Sequence, residues 1–289
     1  MTSYDRVIVT GGSGRVGRYV VDELVRAGHG VTVFDLTPPK ADVPFIKGDI
    51  MDLPALEAAL KGANALVHLA ANDWIAQVPP EAFIRVNVLG TWHALQAAEA
   101  AGIRKAVVCS SISATGIEEL RPDFPPEYLP FDEAHPIKPV EPYSVSKEAV
   151  EHVARSFARR GSMGVVVLRP LGVAVPGSLE RFVARADKKD VRWFNNYVSP
   201  EDTAQGFRLA LERDLGAYDL FFLSAADSCA ETSTLDVAER TFSPMPKIRH
   251  PGLYKANPRA SMVDLDHARR RLGYEPTSDW LKLKASVAK

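Results

Sequence analysis

Apolar positions fall into short runs of strand length, separated by longer amphipathic stretches, through the first two-thirds of the chain. Arg6 to Thr10, Gly30 to Asp35, Ala65 to Ala70, Lys105 to Ser110 and Gly164 to Arg169 each carry a β-branched or apolar core of four to six residues. The stretches at 15–28, 53–61, 81–101 and 143–160 repeat their apolar residues at helical spacing. The third closes on Ala101-Gly102, where glycine can take the left-handed cap. A strand-helix alternation of this kind predicts βαβ units and an α/β, doubly wound parallel sheet.

Two regions break the rhythm after strands, on the side where an open α/β sheet exposes its ligand crevice. The first, 113–142, runs from Arg121-Pro122-Asp123-Phe124-Pro125-Pro126 through Glu141-Pro142 and is too proline-rich for a regular helix. The second, 172–200, contains Pro176-Gly177 and the aromatic, amide-rich Trp193-Phe194-Asn195-Asn196-Tyr197. Long loops in a compact domain are more often functional than connecting. The expected organisation is a nucleotide-binding domain over 1–171, followed by a mixed region, 172–289, with a small substrate-capping part and the final sheet elements.

Composition narrows the partner. The 289 residues are 46% hydrophobic and 25% charged with a formal net charge of −1, so no electrostatic case exists for nucleic acid or an anionic membrane. The expected partner is a small polar molecule. Two cysteines, Cys109 and Cys229, form no metal-ligand pattern and read as reduced thiols. No apolar window approaches the roughly 18 residues of a membrane span, and the start lacks the basic and apolar regions of a signal peptide. A cytoplasmic location is expected.

The first candidate chemistry is Thr10-Gly11-Gly12-Ser13-Gly14-Arg15-Val16-Gly17, directly after a strand and opening a helix. In that context Gly11 allows a tight turn, Gly14 lets the backbone approach a pyrophosphate, and Gly17 permits close helix-sheet packing, giving a Rossmann-type dinucleotide fold. Asp35 closes the second strand, where its carboxylate can accept from ribose hydroxyls and repel a 2′-phosphate, so NAD is favoured over NADP. Arg15, inside the loop, is the residue that could favour the phosphate instead.

The second is Tyr143-Ser144-Val145-Ser146-Lys147, which puts a tyrosine and a lysine on one helical face. An ammonium near the phenol lowers its pKa and makes Tyr143 a general acid/base. Ser110-Ser111, at the carboxyl end of a strand, can supply a hydroxyl to the same substrate oxygen. His68, on a buried strand, reads as packing: the other histidines show no ligand spacing, and no metal is proposed.

With these pieces the chain resembles the extended short-chain dehydrogenase/reductase family, the NAD-dependent epimerases, dehydratases and sugar dehydrogenases. The likeness rests on the glycine loop, Gly48-Asp49-Ile50, His68-Leu69-Ala70-Ala71, Asn87-Val88-Leu89-Gly90-Thr91, Ser110-Ser111, Tyr143 to Lys147, Arg169-Pro170 and Arg271-Leu272-Gly273-Tyr274 with Pro276. The resemblance implies that Gly11, Gly14, Arg15, Val16, Gly17, Asp35, Asp49, Ile50, Leu69, Ala70, Ala71, Asn87, Ser110 and Pro170 contact the cofactor. By the same resemblance Asp49 and Ile50 flank adenine, and Lys147 also holds the nicotinamide ribose. The family's catalytic serine stands four residues before a Tyr-Gly pair. Thr115-Gly116 occupies that place here, which selects Ser111 and leaves Ser113 as a substrate-contacting candidate. A homodimer through helices 81–101 and 143–160 is also implied.

Three functions follow. The first is net hydride transfer at a hydroxyl or carbonyl carbon of a small sugar, uronate or related polar substrate, with Tyr143 moving the proton and Ser111 orienting the oxygen. Asn72 and Arg181 are then substrate candidates, Arg181 as the anchor of a carboxylate, with Arg192 as its competitor. Trp193 and Asn195 are further candidates. The second is a nucleotide-sugar epimerase or dehydratase, in which NAD is regenerated within the turnover. Such enzymes commonly carry Asn where Gly172 stands here, and that departure favours the first reading. The third is a non-catalytic NAD(H) sensor, disfavoured by the complete Ser111, Tyr143 and Lys147 set.

Overall fold

The computed structural model describes residues 4–121, 123–185 and 196–287. Seven strands form one parallel sheet: β1 (Val7–Thr10), β2 (Val31–Asp35), β3 (Phe45–Lys47), β4 (Ala65–His68), β5 (Lys105–Cys109), β7 (Gly164–Pro170) and β8 (Tyr218–Leu223). Their order is β3-β2-β1-β4-β5-β7-β8. The chain winds outward from β1 in one direction and then the other, so the switch point lies between β1 and β4. A crevice at the carboxyl ends of those strands is the consequence. Two further short strands, β6 (Tyr128–Leu129) and β9 (Lys247–Ile248), pair with each other.

Both faces of the sheet are apolar. Val7, Val9, Val33, Val67 and Val107 point into one hydrophobic cluster, while Ile8, Phe34, Leu66, Ala106 and Val108 point into the other. Helices on both sides cover a sheet of this kind, and that explains why its strands read as continuous apolar runs. One layer includes α1 (Gly17–Arg26); the other includes α2 (Leu53–Leu60), α4 (Gly90–Ala100) and α5 (Pro142–Arg159). Asp52 caps α2 by accepting from Ala55 N at 3.1 Å.

The predicted strands and helices are present within a few residues, and the predicted α/β doubly wound class is correct. Three differences have physical causes. The stretch expected as one helix over 81–101 is α3 (Pro80–Phe83), a π turn over Ile84–Leu89 and then α4. The Pro-rich region 113–142 is only partly a cavity loop. Phe124, Tyr128, Leu129 and Phe131 are buried in the core, and Tyr128 pairs with Lys247 across β6 and β9. Third, β3 and β8 extend the sheet at its two edges. β3 is three half-exposed residues, too short for a periodic signal. Among the described residues, no helix is long and apolar enough to cross a membrane.

Candidate active site

The crevice is a cavity of about 870 Å³ running from the glycine loop past β4 and β5 to α6 (Leu179–Arg185). Its cofactor end is shaped by the absence of side chains. A Cβ on Gly17 would lie 2.1 Å from the Gly11 carbonyl oxygen, and one on Gly11, where φ is +73°, would lie 2.5 Å from Ala70 N. The loop therefore packs directly against the end of β4 and the start of α1. At Gly14 a Cβ would meet only Gly11 O, at 3.1 Å, and the residue opens onto the cavity. Asp35 stands at the end of β2 with its carboxylate accepting from Ser13 N at 3.0 Å and Thr37 N at 3.3 Å. These residues, with Arg15, Val16, Asp49, Ile50, Leu69, Ala70, Ala71, Ser110 and Pro170, line one continuous wall. A glycine cradle at a helix start and a carboxylate at the adjacent strand end fit a dinucleotide whose ribose carries free hydroxyls.

Asn87 does not line that wall. It sits behind it, buried, where the π turn directs it inward. Its Oδ1 accepts from Asn72 N at 2.8 Å, and its Nδ2 donates to Asn72 O at 3.0 Å and Ser146 Oγ at 2.9 Å. Asn87 thus joins the loop after β4 to α5. Asn72 lines the cavity, though its amide nitrogen donates to Ala82 O at 3.3 Å.

His68 belongs to the same framework. Thr91 Oγ1 donates to Asn87 O at 2.6 Å, so its oxygen accepts from His68 Nε2 at 3.0 Å, and Nδ1 takes the Thr10 hydroxyl at 2.7 Å. The ring is held neutral: burial, with Lys147 adding the same sign, pushes its pKa down to about 3. The packing role expected for it agrees with this geometry.

The catalytic candidates converge where β5 and α5 meet. Lys147 is buried and donates to Cys109 O at 3.0 Å, with its ammonium 5.8 Å from the Tyr143 ring centroid. Phe83 packs edge-on against Tyr143 at 5.8 Å. The phenol is not lowered as the spacing predicted. Burial pushes the Tyr143 pKa above its ordinary value, helped by Cys109, Asp73 and Glu118, against a hydrogen bond with Ser111. Burial likewise lowers Lys147. Desolvation outweighs pairing here, and Tyr143 rests as the neutral acid.

Ser111 Oγ accepts from Ser113 N at 3.1 Å and donates to Ser113 Oγ at 3.2 Å; Ser113 Oγ donates to Glu118 at 3.1 Å. Ser110 turns away, donating to Glu151 at 2.6 Å. Glu118 and Asp73 also line this part of the cavity and stand in no motif singled out from the sequence. Neither belongs to a spaced motif, and only the turns Ile112–Thr115 and Ile117–Glu119 bring Glu118 back over Ser113. Glu119 accepts from Val140 N and Glu141 N, each at 3.0 Å, fixing the approach to α5 and hence Tyr143. Arg181 lines the far end and is exposed. Arg192, Trp193 and Asn195 lie outside the described residues.

The profile described as the NAD dependent epimerase/dehydratase family matches residues 7–214. A UDP-glucose 4-epimerase of Streptomyces lividans is 29% identical over 94% of this chain and 92% of its own length. One from Bos taurus is 30% identical over 72% of this chain and 73% of its own. Other relatives are matched over less of their length, 40% for one from Sinorhizobium fredii and 56% for a UDP-glucose 4-epimerase of Mus musculus. Among solved structures, a short-chain dehydrogenase/reductase superfamily protein from Agrobacterium tumefaciens with bound NAD superposes with a TM-score of 0.75 at 25% identity, covering 98% of this chain and 96% of that one. These relatives favour the epimerase/dehydratase alternative over net dehydrogenation. A glycine cradle closed to side chains, an acid at the β2 end and a tyrosine beside a lysine are thus features of a relative of known enzymes, and this chain belongs to the NAD dependent epimerase/dehydratase family, NAD-dependent enzymes of the extended short-chain type.

Proposed function

We propose that the chain is an NAD-dependent epimerase acting on a hydroxyl-bearing carbon of a nucleotide-linked sugar. The observation that carries the reading is the convergence of Ser111, Tyr143 and Lys147 on one cavity continuous with the dinucleotide cradle, in a chain similar over 94% of its length to a UDP-glucose 4-epimerase. Bound NAD supplies a two-electron acceptor at the sugar carbon. Ser111 holds the reacting oxygen, Tyr143 exchanges its proton, and Lys147 fixes the end of β5 against α5 with its amine 5.8 Å from the phenol ring. Residues 1–171 form the cofactor-binding domain in this reading, and 172–289 supply the cap and the last sheet strand. The assembly is a homodimer through the helical segments 81–101 and 143–160, supported by the exposed Ile84, Leu89 and Trp92.

A second reading, net dehydrogenation of a compact sugar or uronate, is favoured by one specific observation. Among the described residues, the cavity around Ser111 is lined by Asp73, Glu118 and Glu119, and of its cations Arg15 is paired with Asp73 at 3.2 Å and Lys147 is buried beside Tyr143, which leaves Arg181 for a substrate anion. A diphosphate handle calls for more positive charge than that, whereas a compact substrate does not. Gly172, where such enzymes carry Asn, points the same way.

One assay separates the two. Purified protein is denatured and its supernatant tested for NAD, and the intact enzyme is offered UDP-linked hexoses, free aldoses and uronates while reduced nicotinamide is followed by absorbance. The proposal predicts retained NAD and C4 epimers with no net reduction. Stoichiometric reduced cofactor with free sugars or uronates establishes the second reading. In either case Tyr143→Phe lowers turnover by about 10²–10⁴ while NAD affinity persists.

A further inference from the structure

The serines beside Tyr143 do not end at the substrate oxygen. Ser111, which is hydrogen-bonded to Tyr143, donates from Oγ to Ser113 Oγ at 3.2 Å, and Ser113 Oγ donates to a Glu118 oxygen at 3.1 Å, so both serine hydroxyls point toward the carboxyl. The backbone N–H of Ser113 pins Ser111 Oγ from the other side at 3.1 Å. The turn that leads to Glu118 packs closely against the chain at Lys138: Gly116 has φ +73°, and a Cβ there would lie 2.6 Å from Lys138 O. Its side chain lines the cavity, and among the described residues no salt bridge reaches it.

We propose that Glu118 is the end of an oriented proton wire, Tyr143–Ser111–Ser113–Glu118, which parks the proton taken from the substrate hydroxyl and returns it when the reaction reverses. The inference rests on the reading of Tyr143 as the acid/base. The transfer balances: the Tyr143 O–H breaks as an O–H forms on Ser111, the Ser111 proton passes to Ser113, and the Ser113 proton ends on the Glu118 carboxylate. Tyr143 gains the proton of the breaking substrate O–H as it gives up its own, so it ends as the neutral phenol it began as. Glu118 touches neither the reacting carbon nor its oxygen in this scheme and acts through the serines.

The electrostatics agree with this role. Burial pushes the Glu118 carboxyl up to about 8, against the opposing hydrogen bond from Ser113, which lets it compete for a proton that an ordinary carboxylate would not hold. The ionisable groups facing this end of the cleft are Asp73, Cys109, Glu119, Tyr143, Lys147 and Arg181. Asp73 is paired with Arg15 at 3.2 Å, and Glu119 is committed to the backbone of Val140 and Glu141.

Two measurements test the wire, one of them independent of any substrate. In NAD-containing protein with ¹³C-labelled glutamate, the carboxyl resonance that disappears in Glu118→Gln is expected to titrate near pH 8 and to move in Ser113→Ala. Titration near the ordinary 4.5 overturns the proposal, whether or not a substrate is known. With a turned-over substrate, the single-turnover rate of cofactor reduction should rise through that pH in the wild type. In Glu118→Gln it should fall about tenfold and lose that limb, and Glu118→Asp should restore part of both. An unchanged rate and profile in Glu118→Gln also overturns it. A wild type that turns over no sugar overturns the functional reading, and the Ser113–Glu118 end of the wire then stands or falls on the Glu118 titration and its response to Ser113→Ala.

Discussion

At the scale of the residue, burial sets the protonation states that charge pairing would otherwise dictate. Tyr143 and Lys147 are close enough to influence each other, yet burial pushes each toward its neutral form. His68 shows the same force with a measurable consequence. Its ordinary pKa of 6.5 falls to about 3 in the folded protein. Between those values the unfolded chain binds a proton that the native state refuses, so the contribution of His68 is complete above pH 6.5 and is lost as pH falls toward 3. Its slope is at most about 1.4 kcal/mol per pH unit across that window. Thermal midpoints measured from pH 7 downward should therefore fall less steeply in His68→Gln than in the wild type. Parallel curves would show that His68 protonates freely in the native fold.

At the scale of the element, the site depends on a buried ion pair that ties three pieces of secondary structure together. Glu151 on α5 accepts from Arg169 Nε and Nη2 on β7, both at 2.7 Å, and from Ser110 Oγ at the end of β5, at 2.6 Å. All three residues are buried, and Arg169 also lies 5.2 Å over the Phe222 ring of β8. Removing one partner leaves the other charged in a dry interior. Glu151→Ala should cost about 3–5 kcal/mol of unfolding free energy in urea titration. A loss under about 1 kcal/mol would mean that water reaches Arg169, as at an exposed pair. The motif Arg169-Pro170 was visible in the sequence, but its partner, eighteen residues earlier on another element, was not.

At the scale of the whole molecule, the apolar residues left uncovered by the core concentrate one prediction. Ile84, Leu89 and Trp92 are 43%, 43% and 37% exposed on one helical segment. If that face is the dimer contact, light scattering should give twice the 31.6 kDa chain mass, and Trp92→Glu should shift it to the monomer. A monomeric wild type would remove the homodimer from the reading. The sequence by itself determined the parallel sheet and the cofactor end of the crevice. Both depend on local patterns: continuous apolar strands, a glycine loop that packs too closely at Gly11 and Gly17 to admit side chains, and a Tyr-Lys pair one helical turn apart. It could not determine the role of Asn87, the partner of Arg169, the resting state of Tyr143 or the presence of Glu118 beside Ser113. Those are contacts and dry surroundings made between segments far apart in the chain, or between turns with no periodic signal. They come into existence only when the sheet brings the ends of β4, β5 and β7 together, and the tertiary structure alone decides them.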